Sequence, residues 1–557
     1  MFEQALACEA DCMAAHAGLG AALQKLGQHE RAAEHLVRAA DHDAAGRGVR
    51  LAAAQLLLRL GNAQGAQLRL ARLAADHPDD DEIAYQLGIA LREAGDHDAA
   101  LEHLGRLVAR RPQHAAALEA MAALMRDSGL IDEAIEFYAR VEALRPDHAA
   151  TASVVLFHEQ YREHDRAALF RRHVQWAHRH VRPTSVRTAR RSADPARVLT
   201  IGYVSADFNN ASAVQFIHPI LRGHDRRAFR IACYAASSRR DALTAELQRA
   251  ADVWRDIEGM DDDSARERID EDAVDVLVDL NAHTRGGRLG VFALRAAPVQ
   301  VTYLGYGATT GVSAVDYRIT DRRLDPPGET EAFYVERLVY LPQTMWCFAP
   351  PAGAPDVGPL PGASGRVTFA SLNNFAKVGG ECLEAWARLL ARCPASRMLF
   401  VGVPPGSARV RVLRIFAEHG VGEARVVFHS RLTFERYLAL HAEIDIALDP
   451  FPYTGGATTC NALWMGVPVL TLEGQTVLAR SGASLLHSAG LEGWIANSTE
   501  DYIEKACRLS ADLSLLAQLR AALRTRIATS PLCDVPAFMQ ALELAYREMW
   551  RTWCRRV

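Results

Sequence analysis

The sequence predicts an α plus α/β protein, a helical solenoid followed by two doubly wound parallel domains. Glycines recur at a fixed interval through the first 150 residues, and short apolar runs alternate with helix-period segments through the rest. A Pro- and Gly-rich stretch then divides those apolar runs into two sets. At roughly 150 residues per domain, 557 residues leave room for three or four domains.

The solenoid rests on spacing. Gly27, Gly61, Gly95 and Gly129 lie 34 residues apart, and Ala32, Ala66, Ala100 and Ala134 keep the same interval five positions later. Leu36, Leu70, Leu104 and Tyr138 follow each alanine by four residues, and Leu23, Leu57, Leu91 and Met125 precede each glycine by four. Pro78, Pro112 and Pro146 close three units. A large apolar residue anchors the first helix, the glycine permits the turn, and the alanine lets the second helix approach closely. This period and punctuation resemble the tetratricopeptide repeat (TPR). Ala168 continues the phase, so a degenerate fifth unit is expected and the solenoid is drawn as residues 1–180. Such arrays expose a concave groove that binds peptide or protein, or else serve as a rigid spacer or dimerisation arm.

Residues 181–197 read as a linker, with Arg182, Arg187, Arg190, Arg191 and Arg197 against Asp194 alone. No aromatics interleave these arginines for base stacking, which disfavours a nucleic-acid arm.

Beyond the linker, the runs Val198–Val204, Phe229–Tyr234, Val274–Leu280 and Val299–Leu304 predict one parallel sheet over 198–348. Val367–Ala370, Met398–Val401, Arg425–Phe428, Ile444–Leu448 and Val467–Thr471 predict a second over 367–534. Residues 349–366 form the interdomain linker, and 535–557 a terminal helix returning over the first of these domains. The crevice at the carboxyl ends of the strands is the expected ligand site.

Composition excludes several classes of function. Apolar residues make up 49% and charged residues 23%, which supports buried cores. Sixty-three basic against 67 acidic residues give a net charge of −4, with no excess to favour nucleic acid or a membrane surface. The longest apolar runs are strand-sized, so no membrane-spanning helix is expected. The first residues carry no basic leader, and a cytoplasmic location follows. Ten cysteines without a Cys-x-x-Cys pair suggest reduced thiols rather than disulfides or a metal site. The dinucleotide-binding and P-loop glycine motifs are both missing. Asp261, Asp262 and Asp263 sit among other charges and read as a solvated acidic loop rather than a metal clamp.

Two segments carry the chemistry. After the strand ending at Leu448, Asp449-Pro-Phe-Pro-Tyr-Thr-Gly455-Gly456-Ala457-Thr458-Thr459-Cys460-Asn461 places a tight turn before a helix N-terminus. Free amides and two hydroxyls converging there suit a diphosphate, although a turn with an ordinary N-cap has the same spelling. Ser371-Leu-Asn373-Asn374-Phe-Ala-Lys377 follows another strand end, where an ammonium group can neutralise a phosphate leaving group.

An ordered series of further motifs joins these two. It comprises Gly202-Tyr-Val-Ser-Ala-Asp207-Phe, Asp279-Leu-Asn-Ala-His283-Thr, Gly305-Tyr306 with Thr309-Thr310-Gly311, Ala-Leu-Trp-Met-Gly-Val-Pro468 and Ser530-Pro-Leu-Cys533-Asp. With the repeats, the series resembles the O-linked N-acetylglucosamine transferases, glycosyltransferase family GT41, and more closely their SPINDLY-like and bacterial branch. The resemblance covers essentially the whole chain. It implies a GT-B catalytic region of two Rossmann-like domains with no catalytic metal and no cofactor beyond a nucleotide-sugar donor, UDP-N-acetylglucosamine or GDP-fucose. The reaction it implies is inverting transfer to Ser or Thr of a protein held by the TPR groove, with homo-oligomerisation open.

By the same resemblance Lys377 contacts the donor diphosphate, Asn374 assists, and Gly456, Ala457, Thr458 and Thr459 hold the phosphates. Tyr437 and Leu432 lie near the nucleoside, Asn461 stands where a carboxylate grips ribose, and Arg480 is retained. Tyr306, Thr309 and Thr310 fall on the acceptor side. Asp207 and His283 are the candidates for deprotonating the acceptor, because Ala211 stands where the family has a histidine and His218 falls in the following helix. Val477 likewise replaces a histidine of the bacterial branch. The alternative is a catalytically impaired scaffold that keeps the groove, and a non-protein acceptor is a third reading.

Overall fold

The computed structural model describes residues 1–42, 45–162, 165–182 and 192–556. Arg187, Arg190 and Arg191 of the expected linker lie outside the described residues. The chain divides into two units, Met1–Leu144 with Val403–Val412, and Arg145–Gly402 with Leu413–Val557.

The first unit is built of short helices, from Phe2–Cys8 to Ile131–Leu144. All four repeat glycines have left-handed backbones, with φ of 74°, 79°, 88° and 71°, which a side chain resists. The repeat alanines Ala32, Ala66, Ala100 and Ala134 are fully buried. Packing reveals a second row of small residues at the same period: Gly20, Ala54, Gly88 and Ala122. A Cβ on Gly88 would stand 2.5 Å from Leu104 Cγ, and one on Gly20 2.7 Å from Leu36 Cγ. Smallness is required here by close packing, whereas at Gly27, Gly61 and Gly95 nothing stands near and only the backbone angle demands it.

The second unit opens with the helix pair Ala149–Glu159 and Arg166–His180, the expected fifth repeat. Ala152, Leu156, Trp176 and Ala177 share one core with Ala232, Val274 and Leu277 of the following domain. This pair, drawn as part of the solenoid, has its apolar face covered by a β-sheet domain and groups with that domain in the second compact unit.

Seven parallel strands make the first sheet: β1 (Leu199–Ser205), β2 (Phe229–Ala235), β3 (Val253–Asp256), β4 (Val276–Asp279), β5 (Val299–Thr302), β6 (Tyr317–Thr320) and β7 (Arg337–Tyr340). Their order is β3-β2-β1-β4-β5-β6-β7. The second sheet holds β8 (Val367–Ser371), β9 (Ser396–Val401), β10 (Val426–His429), β11 (Ile446–Leu448), β12 (Val469–Leu472) and β13 (Ile495–Ala496), ordered β10-β9-β8-β11-β12-β13. Both orders reverse beside the first strand of the sheet, the switch point where doubly wound folds bind ligands. Nine strands fall on the apolar runs. The other four, β3, β6, β7 and β13, are too short or too polar to stand out: β3 is an edge strand, and β6 buries Arg318 so that its guanidinium can donate to the Tyr306 and Ala308 carbonyls.

The terminal helix Val535–Cys554 returns over the first sheet domain. Tyr546 Oη lies 3.2 Å from Tyr203 Oη, Glu543 pairs with His224 at 3.0 Å, and Trp550 donates to the Asp194 carbonyl at 3.0 Å. Asp261 caps the helix Asp262–Glu271 and Asp262 pairs with Arg288, so this acidic loop serves the fold. All ten cysteines are free thiols. Among the described residues no helix is long and apolar enough to cross a membrane, and no cluster of three His, Cys, Asp or Glu could hold a metal ion.

Candidate nucleotide-sugar site

The site lies where β8 and β11 end side by side. Beyond β8, Asn374 caps a short 3-10 turn by accepting from Ala376 N at 3.2 Å, and that turn delivers Lys377. Lys377 Nζ donates to the Thr454 carbonyl at 2.8 Å and sits 3.8 Å above the Tyr453 ring. Burial pulls its pKa down to about 8, and Asp449 is the charge that opposes the shift. Beyond β11, Asp449 is fully buried; desolvation raises its pKa against the pull of Lys377, the Gly455 amide and the Thr459 hydroxyl. A cation and an anion thus share a dry floor beneath the Gly-rich turn.

Gly455 is required by space, since a Cβ there would collide with Thr459 Oγ1 and stand 2.6 Å from Asp449 Oδ1. The helix Ala457–Trp464 starts immediately after the turn, with Gly456 at its N-cap. Its first intrahelical bond runs from Cys460 N to Gly456 O at 3.1 Å, which leaves the amides of Ala457, Thr458 and Thr459 pointing out of the N-terminus. Free amides beside a buried ammonium are the ingredients of an anion site.

The two threonines differ from expectation. Thr459 turns its hydroxyl inward to Asp449 at 3.1 Å, so it braces the floor and can offer only its amide to a phosphate. Thr458 donates to Asn373 Oδ1 at 2.8 Å, joining this turn to the Lys377 segment. Tyr437, on the helix Phe434–Leu440, has a buried hydroxyl with no hydrogen-bond partner, and Asn461 Oδ1 is likewise buried and unpartnered. The structure brings these two candidates close enough to influence each other's electrostatics, and Asn461 is only 3% exposed. Leu432 lies half-buried in the turn before that helix.

Arg480 belongs to the helix Val477–Ser488, which bridges the two sheet domains. Its guanidinium donates to the Gly474 carbonyl at 3.1 Å and reaches the Arg323 carbonyl, so it holds backbone rather than standing ready for a donor. Ser484 on the same helix accepts from Trp346 Nε1 at 3.1 Å and donates to Asp321 at 3.1 Å.

The acceptor-side candidates are locked. His283 bonds Ser153 through Nδ1 at 3.0 Å and the Thr310 carbonyl through Nε2 at 2.9 Å, and burial drives its pKa far down. With both nitrogens bonded and Trp176, His173 and Tyr306 packed around it, His283 is held within the fold and has no nitrogen free in this structure. Tyr306 bonds His173 Nε2 at 2.7 Å. The Thr309 and Thr310 hydroxyls both donate to Glu336, the former at 2.6 Å, so neither is presented to an acceptor. Asp207 differs: it is half-buried beyond β1, accepts from Asn281 Nδ2 at 2.8 Å, and has its pKa raised by desolvation.

Sequence reasoning quoted Asp449 and Tyr453 within a motif without giving either a role, and it passed over Glu336. Asp449 had a readable signal, an acid ending an apolar strand; Glu336 had none, because its partners lie 26 and 27 positions away.

Paired Rossmann-like domains with an amide-and-lysine anion site at the end of the second sheet define a nucleotide-type transferase architecture. The family model described as glycosyl transferase family 41 matches residues 139–348 and 360–542, and the chain belongs to that family. Two tetratricopeptide-repeat models match 51–104 and 91–155.

Among proteins similar to it is the probable UDP-N-acetylglucosamine--peptide N-acetylglucosaminyltransferase SPINDLY of Petunia hybrida, 41% identical over 371 residues, 65% of this chain and 40% of the relative. The protein of that name from Arabidopsis thaliana is 39% identical over 396 residues, 70% of this chain and 43% of its own. The chain thus spans about two fifths of the length of these curated relatives. A solved O-GlcNAc transferase of Thermobaculum terrenum, a Lys-to-Met mutant, superposes with a TM-score of 0.85 at 34% identity, covering 92% of this chain and 99% of that one.

Proposed function

We propose that the protein is a glycosyltransferase that moves N-acetylglucosamine from UDP-N-acetylglucosamine onto Ser or Thr hydroxyls of proteins. The names of its relatives favour this sugar over the fucose of GDP-fucose. The observation that carries the reading is Lys377 beside the free helix N-terminus. As the glycosidic bond breaks, negative charge gathers on the departing diphosphate, and a pre-placed ammonium with two or three amides stabilises it most at that moment. The acceptor hydroxyl attacks from the opposite side, with inversion, and Asp207 is the carboxylate left to receive its proton while both His283 nitrogens are bonded. Lys377 and the helix supply the charge that a metal gives elsewhere, so the reading is metal-independent. The repeats hold the acceptor polypeptide, and the reaction is placed in the cytoplasm.

Lys377→Met tests this directly: transfer from UDP-N-acetylglucosamine to a serine peptide should collapse while the variant stays folded. Thermal-shift titration with UDP and GDP tests the nucleotide, since ligand at 100 times its dissociation constant stabilises by about 2.7 kcal/mol.

A locked His283 and Ala211 favour a second reading, a donor-binding scaffold without turnover. Nucleotide binding without sugar release by the native chain, and sugar release by Ala211→His, would establish it.

A further inference from the structure

Between the helix Arg166–His180, the Gly307–Thr309 loop and the start of the helix Val477–Ser488 lies a small pocket open to solvent. It adjoins the lysine site: Leu478 accepts through its carbonyl from Thr454 N at 3.2 Å and Thr454 Oγ1 at 2.7 Å, and Thr454 is the residue that Lys377 holds.

Four features of its lining point the same way. Arg166 has Gln475 Oε1 as a neutral partner at 3.2 Å and, among the described residues, no carboxylate within ion-pair distance. A second guanidinium, Arg480, stands close enough to depress its pKa, after burial itself, and the two together outweigh the opposing pull of Tyr334, Asp325 and Glu329. The amide of Val477, which lines the pocket, precedes the first bonds of its helix, which Ala479 and Arg480 make to Thr476. Finally, Thr330, a lining residue only 4% exposed, has a buried hydroxyl with no hydrogen-bond partner.

Asp325 also lines the cavity, but it accepts from Tyr334 Oη at 2.7 Å and Thr320 Oγ1 at 2.6 Å, which leaves it tied to the wall. An underpaired guanidinium, a free amide and an unpartnered hydroxyl want an acceptor-rich anion of carboxylate size. Phe170 and Phe333 supply apolar walls that would cover its methylenes.

We propose that this cavity is the subsite for an acidic side chain, Glu or Asp, of the acceptor polypeptide near the modified hydroxyl. The inference rests on the transferase reading for the identity of the polypeptide. Its source is the acceptor and not the donor, because the donor's phosphates have their own amides and ammonium at the Lys377 turn.

The test uses the full chain and a set of short peptides with one central serine, carrying Glu or Gln at each flanking position in turn. Binding is followed by isothermal titration, and transfer by sugar incorporation. The native chain should prefer a Glu peptide at one position by about tenfold or more, and Arg166→Gln should abolish that preference while leaving the Gln peptides and the affinity for UDP unchanged. The conservative variant Arg166→Lys, which keeps the charge, should retain part of it. Equal losses for Glu and Gln peptides, no preference in the native chain, or a fall in UDP affinity in Arg166→Gln would each overturn the proposal. Binding preference without sugar transfer would instead retain the subsite and remove the transferase reading.

Discussion

At the carboxyl end of β11 an apolar strand runs into Asp449; at the carboxyl end of β4 an equally apolar strand runs into Asp279. Both carboxylates are buried and both have pKa values raised by desolvation. Asp279 spends its oxygens at home, on the amides of Asn281 and Ala282 and on Thr302 Oγ1 at 2.8 Å, and so fixes a closed loop in which His283 is fully bonded. Asp449 lies close enough to Lys377 to oppose the shift of its pKa, and the turn that follows Asp449 leads into a helix whose first amides are free. The same residue type in the same topological place therefore makes a scaffold in one domain and an electrostatic floor in the other. What separates them is whether donors are left over once the loop has bonded itself.

The largest effect expected is at the open end. Lys377→Met should lower transfer by roughly 10²- to 10³-fold, the cost of losing one oriented donor to developing charge. It also leaves Asp449 buried without its cation, so the double variant Lys377→Met with Asp449→Asn should be more stable than the single one, by chemical denaturation. With the lysine titrating near 8, kcat/KM should fall as pH rises through that value and the ammonium is lost. A flat profile from pH 7 to 9, or near-normal transfer by Lys377→Met, would place the chemistry elsewhere.

The closed end answers to acid. Burial holds His173 neutral down to about 4 and pushes His283 down as well. Between an unfolded value near 6.5 and those lower folded values, the unfolded chain takes up protons that the folded chain refuses. Stability is thus present above pH 6.5 and lost as pH falls, by about 3 kcal/mol for His173 alone near pH 4. Denaturant unfolding across pH 4–7 measures this slope, and His173→Gln should flatten it. If it does not, the histidine pair is not the acid-labile element.

Glu336→Gln is smaller. The carboxylate accepts from Thr309 Oγ1, Thr310 N and Thr310 Oγ1, and an amide can accept on one side only. A loss of about 2 kcal/mol in unfolding free energy is expected, with UDP affinity unchanged. An equal loss of UDP affinity would mean that the Thr309–Thr310 loop reaches the donor after all.

The same contrast explains what could be read in advance. Periodicity announced the repeats and nine strands, because glycine punctuation and continuous apolar runs are local signals. The Lys377 segment and the Gly455 turn were legible for the same reason, each being a strand end with its chemistry within about ten residues. The inward turn of Thr459, the two bonds on His283 and the capture of Thr309 and Thr310 by Glu336 were not, since each depends on a partner brought close only by packing. The packing of the last helix pair was hidden similarly: Trp176 and Ala177 continue a helical pattern, and nothing local says that a sheet, rather than another repeat, covers them.

The solenoid offers a finer version of this distinction, with the smallest effects. Three of its glycines lie within 18 residues and are glycine for different reasons. Gly88 faces Leu104 Cγ at 2.5 Å from a built Cβ, Gly95 has φ of 88° with open space, and Gly105 has neither constraint within the helix His97–Arg110. Substitution by alanine should therefore cost about 1–3 kcal/mol at 88, which is what overpacking costs. At 95 the cost should be about 1 kcal/mol, from the left-handed backbone. At 105 alanine should stabilise by about 0.5–1 kcal/mol, because a helix-interior glycine only adds freedom to the unfolded chain. Urea midpoints of the three variants give the order directly. A stabilised Gly88→Ala would mean that the helices are free to move apart, and the small-residue row would then not set their spacing.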